Sequence, residues 1–221
     1  MLENNETVQD FEAAMKRRDG SEFWAALRAN HIVLDGRHML FVALSDISSR
    51  KSMENELRKA ADYDPLTGLP NRRCFYDTVE TEKQRAERHG HTTCLMMLDL
   101  DLFKEINDNY GHQVGDKYLR RFAQSCEQML RRSDVMARVG GEEFAILLPE
   151  TGLEQAREIA ERLRLNVQDL DVGERGEVIS TTASIGLVNI ESTDTVQGAM
   201  AQADRAMYDA KAGGRNTVCT A

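Results

Sequence analysis

The pattern of apolar and polar positions divides the 221-residue chain into two main regions. In residues 1–48, strand-like runs are separated by turn signals at Asp19-Gly20 and Asp35-Gly36, which predicts a three-stranded antiparallel meander. In residues 64–221, strand-like apolar runs alternate with amphipathic stretches of helical period. Because such alternation is typical of a sheet covered by helices, we place a second, larger domain there.

Residues 49–63 join the two regions and are rich in Arg, Lys, Glu and Ala. Met53, Leu57 and Ala60 recur at helical spacing, so we predict a short connecting helix. The apolar seam is shorter than the roughly three heptads that identify a coiled coil. A signalling helix and an ordinary amphipathic linker therefore both remain open.

The second region predicts the order α, β, α, α, β, β, α, β, α, β. Thr92 to Leu98 is a short uninterrupted apolar run, which indicates a strand buried on both faces. Two further runs, Val135 to Val139 and Phe144 to Leu148, predict a hairpin in the middle of the chain. Thr151 to Glu154 is spaced as a capping box for a helix, and Val178 to Ile190 predicts a further strand. The fold class expected is α+β, a mixed sheet with the hairpin and covering helices.

Composition and charge narrow the classes of function. A net charge of -9 argues against a nucleic-acid or membrane surface, because such surfaces need concentrated basic residues. No basic leader precedes an apolar core, and no apolar run approaches the roughly 18 residues of a membrane span, so we expect a cytoplasmic protein. Widely spaced cysteines without Cys-x-x-Cys pairing predict reduced thiols: Cys74, Cys94, Cys126 and Cys219.

Acidic residues stand at two predicted strand ends. Asp99 follows the buried apolar run, and Glu142 lies at the tip of the hairpin beside Glu143. If the two strands are neighbours in the sheet, Asp99 and Glu142 would form a Mg²⁺ site, because Mg²⁺ needs only one or two carboxylates beside water and substrate phosphates. Each acid also has a simpler explanation as a solvated turn or a polar strand end.

Basic side chains near these acids suggest an anionic ligand. Lys104 lies just beyond the strand end, and Lys211 and Arg215 follow the last predicted helix. Together with the N–H groups of Leu102, Phe103 and Lys104 at a helix start, they could hold a triphosphate. Lys211 and Arg215 could equally complement the carboxyl end of the preceding helix.

Asn107 and Asp116 are candidates for reading a purine base. An ionised carboxylate only accepts hydrogen bonds, so it matches the N1–H and N2–H₂ donors of guanine and mismatches adenine, whose N1 is an acceptor. Such a pocket would select GTP. Both residues could instead serve local structure, Asn107 in a helix-terminating turn and Asp116 as an acid near a helix start.

Three segments together resemble the GGDEF diguanylate cyclases. They are Asp99 to Asp116 (DLDLFKEINDNYGHQVGD), Gly140 to Phe144 (GGEEF) and Ala203 to Asn216 (ADRAMYDAKAGGRN). The motifs occur in order, and the resemblance extends over residues 64–220. It implies a palm-like nucleotidyl cyclase fold and the condensation of two GTP molecules into cyclic di-GMP.

The resemblance also implies roles for individual residues. Asp99, the Leu100 carbonyl and Glu142 would bind Mg²⁺ or Mn²⁺, and Glu142 or Glu143 would help deprotonate the 3′-hydroxyl. Which of the two acids is the base stays open. The guanine and phosphate ligands implied are Asn107 and Asp116 for the base, and Leu102, Phe103, Lys104, Lys211 and Arg215 for the phosphates.

Arg131 and Asp134 match the Arg-x-x-Asp inhibitory site of the same family. Arg131 can form paired hydrogen bonds with phosphate or guanine, and Asp134 can accept from the guanine edge. The resemblance therefore implies product feedback by cyclic di-GMP. Taken alone, an Arg-x-x-Asp sequence at a helix end is more often a surface ion pair.

The meander resembles the last third of a PAS sensor domain. This resemblance rests on Phe11-Glu12, residues 18–24 (RDGSEFW) and residues 45–51 (SDISSRK). The front of the PAS fold is missing, so a bound haem, flavin or small ligand is not implied. The connecting helix would then carry a signal to the cyclase region.

An active homodimeric cyclase is the function that the unbroken motifs favour. Because the product is symmetric and each chain holds one GTP, two chains must face each other about a two-fold axis. The alternative is a non-catalytic module that binds GTP or cyclic di-GMP. A changed GGEEF segment or a lost Asp99 would have favoured that alternative.

Overall fold

The chain forms two compact units, Met1–Ala61 and Asp62–Ala221. The computed structural model describes residues 8–173, 177–190 and 195–221. Within these ranges, no helix combines the length and the apolar character that a membrane span needs.

The first unit is an antiparallel sheet in the order β1-β2-β3 followed by a helix. Its elements are β1 (Val8–Lys16), β2 (Glu22–Leu34), β3 (Arg37–Asp46) and α1 (Ser48–Asp62). The predicted meander is confirmed, and Asp35 and Gly36 make its second turn with φ of 49° and 72°. Positive φ at both positions matches the twist of the flanking strands in a tight hairpin. The assignment to a partial PAS domain stays a prediction.

This unit has little core of its own. Among its described residues, Ala25 is the one apolar side chain that is fully buried, and α1 contributes none. On one face of the sheet, large apolar side chains are half or more exposed: Phe11, Leu40, Val42 and Leu44. On the other face, the Lys51 ammonium lies 5.3 Å from the Trp24 ring and 2.6 Å from the Glu12 carboxylate.

The second unit alternates helices and strands in the predicted order. Its elements are α2 (Arg72–His89), β4 (Thr93–Leu100), α3 (Phe103–Tyr110), α4 (His112–Met129), β5 (Val135–Arg138), β6 (Glu143–Leu148), α5 (Leu153–Asp169), β7 (Ala183–Ile190), α6 (Val196–Ala212) and β8 (Val218–Thr220). Asn71 caps α2 by accepting from the Cys74 N–H at 3.0 Å, and Thr195 caps α6 in the same way. The α+β fold class is confirmed.

The five strands form one mixed sheet in the order β5-β6-β4-β7-β8, in which only β7 and β8 are parallel. All eight residues of β4 are buried, as the uninterrupted apolar run predicted. Alternate side chains of β4 enter two cores: Leu98 packs with α3, α4 and α5, and Met97 packs with α2 and α6. The helices therefore cover both faces of the sheet.

Two local predictions are wrong. The capping box at Thr151 to Glu154 does not form, because the buried Thr151 hydroxyl donates to the Pro149 carbonyl and α5 begins after Gly152 without a side-chain cap. The strand predicted from Val178 begins at Ala183. The hydroxyls just before it, on Thr181 and Thr182, bond to Asp101.

Candidate active site

The register of β4 and β6 brings the predicted acids together. Asp99 lies directly opposite Glu143, and the Leu100 N–H donates to the Glu142 carbonyl at 3.3 Å. Directly opposed residues of an antiparallel pair project to the same face, so Asp99 and Glu143 share the face covered by α2 and α6. The condition set by the sequence, that the two strands are neighbours, is met.

Asp99 is buried and paired with a lysine from α6. Its Oδ2 lies 2.8 Å from Lys211 Nζ, although the two residues are far apart in the chain. Burial raises the pKa of the Asp99 carboxyl to about 6, the Lys211 ammonium opposes this rise, and the charges of Glu142 and Glu143 add to it. The site thus concentrates more negative charge than Lys211 alone neutralises.

The acids are suited to a divalent cation with few protein ligands. No group of three or more His, Cys, Asp or Glu residues with metal-holding geometry occurs within the described ranges. The predicted set of Asp99, the Leu100 carbonyl and Glu142 contains only two carboxylates, which is enough for Mg²⁺ bound together with substrate phosphates. A desolvated carboxylate beside two others is the electrostatic environment that favours such a cation.

Arg138 fixes the tip of the hairpin. Its Nη2 and Nε donate to the Gly141 carbonyl at 2.7 and 3.0 Å, and its Nη1 donates to both Asp64 oxygens at 3.1 and 3.2 Å. The Arg138 N–H also donates to the Pro70 carbonyl at 3.0 Å. Sequence analysis singled out neither Arg138 nor Asp64, because their contact joins positions 74 residues apart.

The start of α3 is open to a ligand. Leu102 adopts the left-handed region with φ of 54° and makes no side-chain cap, so the first-turn N–H groups can meet an anion. Because the Phe103 side chain is buried, only its main chain is suited to phosphate. The Lys104 side chain is 86% exposed, and its ammonium pairs with the Asp108 carboxylate at 3.5 Å.

Asn107 packs closely against Gly115 where α3 meets α4. Gly115 makes this possible, because a Cβ there would overlap Asn107 Oδ1. Asp116 directly follows this contact, and both polar side chains are half-buried. The two candidate guanine ligands thus lie at one helix junction.

The loop after α6 holds Arg215 in a restricted conformation. Arg215 and Asn216 both have left-handed φ, of 64° and 47°. Asp101 binds this loop by accepting from the Asn216 N–H at 3.1 Å. The exposed Arg215 borders an open pocket of about 500 Å³ between α3 and the residues before β7.

Arg131 and Asp134 form a local turn apart from these residues. Asp134 Oδ2 accepts from the Arg131 main-chain N–H at 2.8 Å, and the Asp134 N–H donates to the Arg131 carbonyl at 3.0 Å. The turn holds the Asp134 carboxylate and leaves the Arg131 side chain exposed. Their inhibitory role stays a prediction.

Comparison with known proteins found a family match over most of the chain. Residues 61–217 match the family model described as diguanylate cyclase, GGDEF domain. The diguanylate cyclase DgcP of Pseudomonas aeruginosa is 42% identical over 164 residues, which cover 74% of this chain and 24% of DgcP. The diguanylate cyclase DgcM of Escherichia coli K12 is 35% identical over 206 residues, which cover 93% of this chain and 50% of DgcM.

A solved structure has the same fold. The coiled coil and GGDEF domain of DgcB from Caulobacter crescentus, in complex with c-di-GMP, matches with a TM-score of 0.74 at 31% identity, over 79% of this chain and 93% of that chain. This chain spans at most half the length of DgcP and DgcM. The family model nevertheless matches most of the chain and includes every candidate site residue. The chain belongs to the diguanylate cyclase GGDEF domain family.

Proposed function

We propose that this chain is a diguanylate cyclase, which condenses two GTP molecules into cyclic di-GMP and releases two pyrophosphates. The observation that carries the proposal is the position of Asp99 directly opposite Glu143 in the β4–β6 register, with the Lys211 ammonium 2.8 Å from the Asp99 carboxylate. The names of DgcP and DgcM, and the c-di-GMP bound to DgcB, support the same substrate and product.

We assign a divalent metal, Mg²⁺ or Mn²⁺, to Asp99, the Leu100 carbonyl and Glu142. Burial, with a smaller contribution from the charges of Glu142 and Glu143, raises the pKa of Asp99, and a buried carboxylate beside other acids supports this assignment. When bound, the metal would neutralise triphosphate charge and favour ionisation of the attacking hydroxyl. Lys211, whose ammonium lies 2.8 Å from Asp99 Oδ2, would bind the phosphates beside this metal site.

The remaining residues position GTP. Asn107 and Asp116 hold the guanine edge at the α3–α4 junction. The main-chain N–H groups at the start of α3 bind the triphosphate together with the basic side chains named below. These groups also stabilise the negative charge on the departing pyrophosphate. The phosphate ligands proposed are Leu102, Phe103, Lys104, Lys211 and Arg215.

One of the two hairpin acids accepts the proton of the 3′-hydroxyl. The 3′-oxygen then attacks the α-phosphorus of the other GTP, and pyrophosphate leaves. Glu142 lies at the tip and Glu143 opposite Asp99, so both are within the same acid cluster. Separate Glu142→Gln and Glu143→Gln variants distinguish them: the base is the acid whose replacement removes the ascending acidic limb of the pH–rate profile.

The symmetric product requires a homodimer. Each chain has one set of residues for guanine, phosphate and the acids, so it binds one GTP. The second GTP must therefore be bound by a second chain that faces the first. The two phosphodiester bonds then form by the same reaction at equivalent sites.

Arg131 and Asp134 would bind the product and inhibit the enzyme. The exposed Arg131 guanidinium can form two hydrogen bonds with phosphate or guanine. Arg131→Ala should therefore weaken inhibition by added cyclic di-GMP and leave the initial rate intact. Unchanged inhibition in this variant would remove the feedback site from the proposal.

The reaction is tested by incubating the purified protein with GTP and MgCl₂ and resolving the products by chromatography. We expect cyclic di-GMP and pyrophosphate in the ratio of about one to two, as the balanced reaction requires. Tight binding of GTP or cyclic di-GMP without turnover, after bound product has been removed, would support the non-catalytic module instead.

A further inference from the structure

Asp101 is the second acid of the Asp99-Leu100-Asp101 segment, and the structure gives it different partners from the first. Its side chain is 3% exposed. Oδ1 accepts from the Ser184 hydroxyl at 2.7 Å, and Oδ2 accepts from the Thr182 hydroxyl at 2.6 Å. Both oxygens are therefore occupied by protein donors rather than directed to the hairpin acids.

The third donor to Asp101 comes from the loop after α6. The Asn216 N–H donates to Asp101 Oδ2 at 3.1 Å. One buried carboxylate thus joins the end of β4, the start of β7 and the residue next to Arg215. A hydrogen bond to an ionised acceptor in a buried place is stronger than a neutral one.

The loop needs such support because its backbone is strained. Arg215 and Asn216 are consecutive non-glycine residues with left-handed φ, a conformation that persists only where surrounding contacts enforce it. The Asn216 side chain is held by Arg164 at 2.7 Å and by Gln168 at 3.2 Å. Its main chain is held by Asp101, so Asp101 controls the peptide that follows Arg215.

We propose that Asp101 is a positioning residue for the triphosphate-binding loop and not a metal ligand. It acts through the Asn216 main chain on Arg215, and it sets this loop against the strand end that carries Asp99. The inference rests on the proposed function, because it takes GTP as the ligand of Arg215.

The amide variant separates the two roles. In Asp101→Asn, the side-chain oxygen can keep the bonds from Thr182 and Asn216, while the amide NH₂ donates to Ser184, whose hydroxyl can also accept. The positioning role therefore survives in Asp101→Asn and is lost in Asp101→Ala. A metal ligand would be impaired in both variants, since an amide is a poorer Mg²⁺ ligand than a carboxylate.

The test measures binding of 3′-deoxy-GTP, which lacks the attacking hydroxyl, by calorimetry with EDTA and with MgCl₂. Guanosine is the second probe, because it has the base but no phosphates and therefore reports on the guanine pocket alone. Ser125→Ala is the matched control, which removes a hydrogen bond of 2.9 Å to Asn166 between α4 and α5. Melting curves verify that each variant is folded.

We expect Asp101→Ala to weaken 3′-deoxy-GTP binding about tenfold in both buffers, the loss typical of one charge-assisted hydrogen bond. Asp101→Asn and Ser125→Ala should bind like the wild type, and guanosine affinity should not change. A loss confined to MgCl₂ in either Asp101 variant would overturn the proposal, as would unchanged binding by folded Asp101→Ala. If Asp101→Ala does not fold, Thr182→Val takes its place, because it removes the 2.6 Å hydrogen bond that orients Asp101 Oδ2. Unchanged 3′-deoxy-GTP binding by folded Thr182→Val would then overturn the proposal. A wild type that binds neither probe would contradict the proposed function itself.

Discussion

Single-atom contacts hold two polar parts of the candidate site in place. Asn107 packs against α4 at Gly115, which has no side chain to obstruct it. The Gly141 carbonyl is held by two nitrogens of Arg138, which Asp64 orients in turn. Neither contact can be predicted from the spacing of motifs in the sequence. Each leads to a prediction for a single substitution.

Gly115→Ala should impair GTP binding more than folding. The added Cβ would overlap Asn107 Oδ1, and this side chain can rotate away at a cost of about 1 kcal/mol. Because the rotation removes a guanine ligand, we expect KM for GTP to rise about tenfold with a smaller change in kcat. Steady-state kinetics measure this, with Gly152→Ala as the control because its Cβ would meet open space. An unchanged KM in the variant would contradict the assignment of Asn107.

Asp64→Asn should lower stability in a pH-dependent way. Burial raises the pKa of the Asp64 carboxyl, but hydrogen bonds from Thr67 and Arg138 outweigh it and hold the pKa below its usual value. The ionised form therefore stabilises the fold above the unfolded pKa of about 3.9, and this contribution is lost as the pH falls through the lower folded value.

Urea unfolding measures the effect of Asp64→Asn at two pH values. At pH 7 we expect a loss of about 1–3 kcal/mol, as for other hydrogen bonds to charged groups. Near pH 3 the variant and the wild type should approach each other in stability. An equal difference at both pH values would mean that the charge of Asp64 does not contribute.

At the scale of elements, the sequence pattern predicts individual strands and helices but not which strands pair. The buried run of β4 and the helical stripe that packs as α4 are read from neighbouring residues, and both elements are confirmed. The approach of Asp99 to Glu142 could be predicted only on the condition that their strands are neighbours, because strand order depends on contacts across the whole sheet. The structure places Glu143 directly opposite Asp99. The strand was predicted to begin at Val178, but β7 begins at Ala183, and the Thr181 and Thr182 hydroxyls just before it donate to Asp101.

Gly186→Ala should destabilise the second unit by displacing α6. A Cβ at this position in β7 would overlap the Ala203 carbonyl and the Met207 N–H of the helix, which are main-chain groups that cannot rotate away. We expect a loss of about 1–3 kcal/mol in urea unfolding. Because α6 carries Lys211, cyclase activity should fall as well.

Gly198→Ala is the matched control within α6. There the new Cβ would lie 3.1 Å from a side-chain oxygen, that of Thr195, and the expected loss is smaller. Equal stability of the Gly186 variant and the wild type would show that the close packing of α6 on β7 is not required.

At the scale of the whole molecule, the sequence predicted the fold class and the family, and it left the first unit less defined. Motif order over the second unit carried the resemblance, and the family model matches residues 61–217. The first unit was predicted as a meander from its turn signals, whereas the exposure of one apolar face of its sheet was found only in the structure.

The two-chain requirement predicts that the rate per chain depends on concentration. If one GTP binds to each chain, dilution below the dimer dissociation constant should lower the rate per chain toward zero. Initial rates are compared with the dimer fraction from sedimentation at the same concentrations. A constant rate per chain in solutions that contain only monomer would contradict the facing arrangement.

The most direct measurement compares cyclic di-GMP formation from GTP and MgCl₂ by the wild type, Glu142→Ala and Glu154→Ala. Glu154 is an exposed acid in the first turn of α5, so its variant is matched in charge and lies outside the candidate site. We predict product from the wild type and Glu154→Ala, and a loss of at least about 100-fold in Glu142→Ala with an unchanged melting temperature. No product from the dimeric wild type after removal of bound nucleotide, or full activity in Glu142→Ala, would contradict the account.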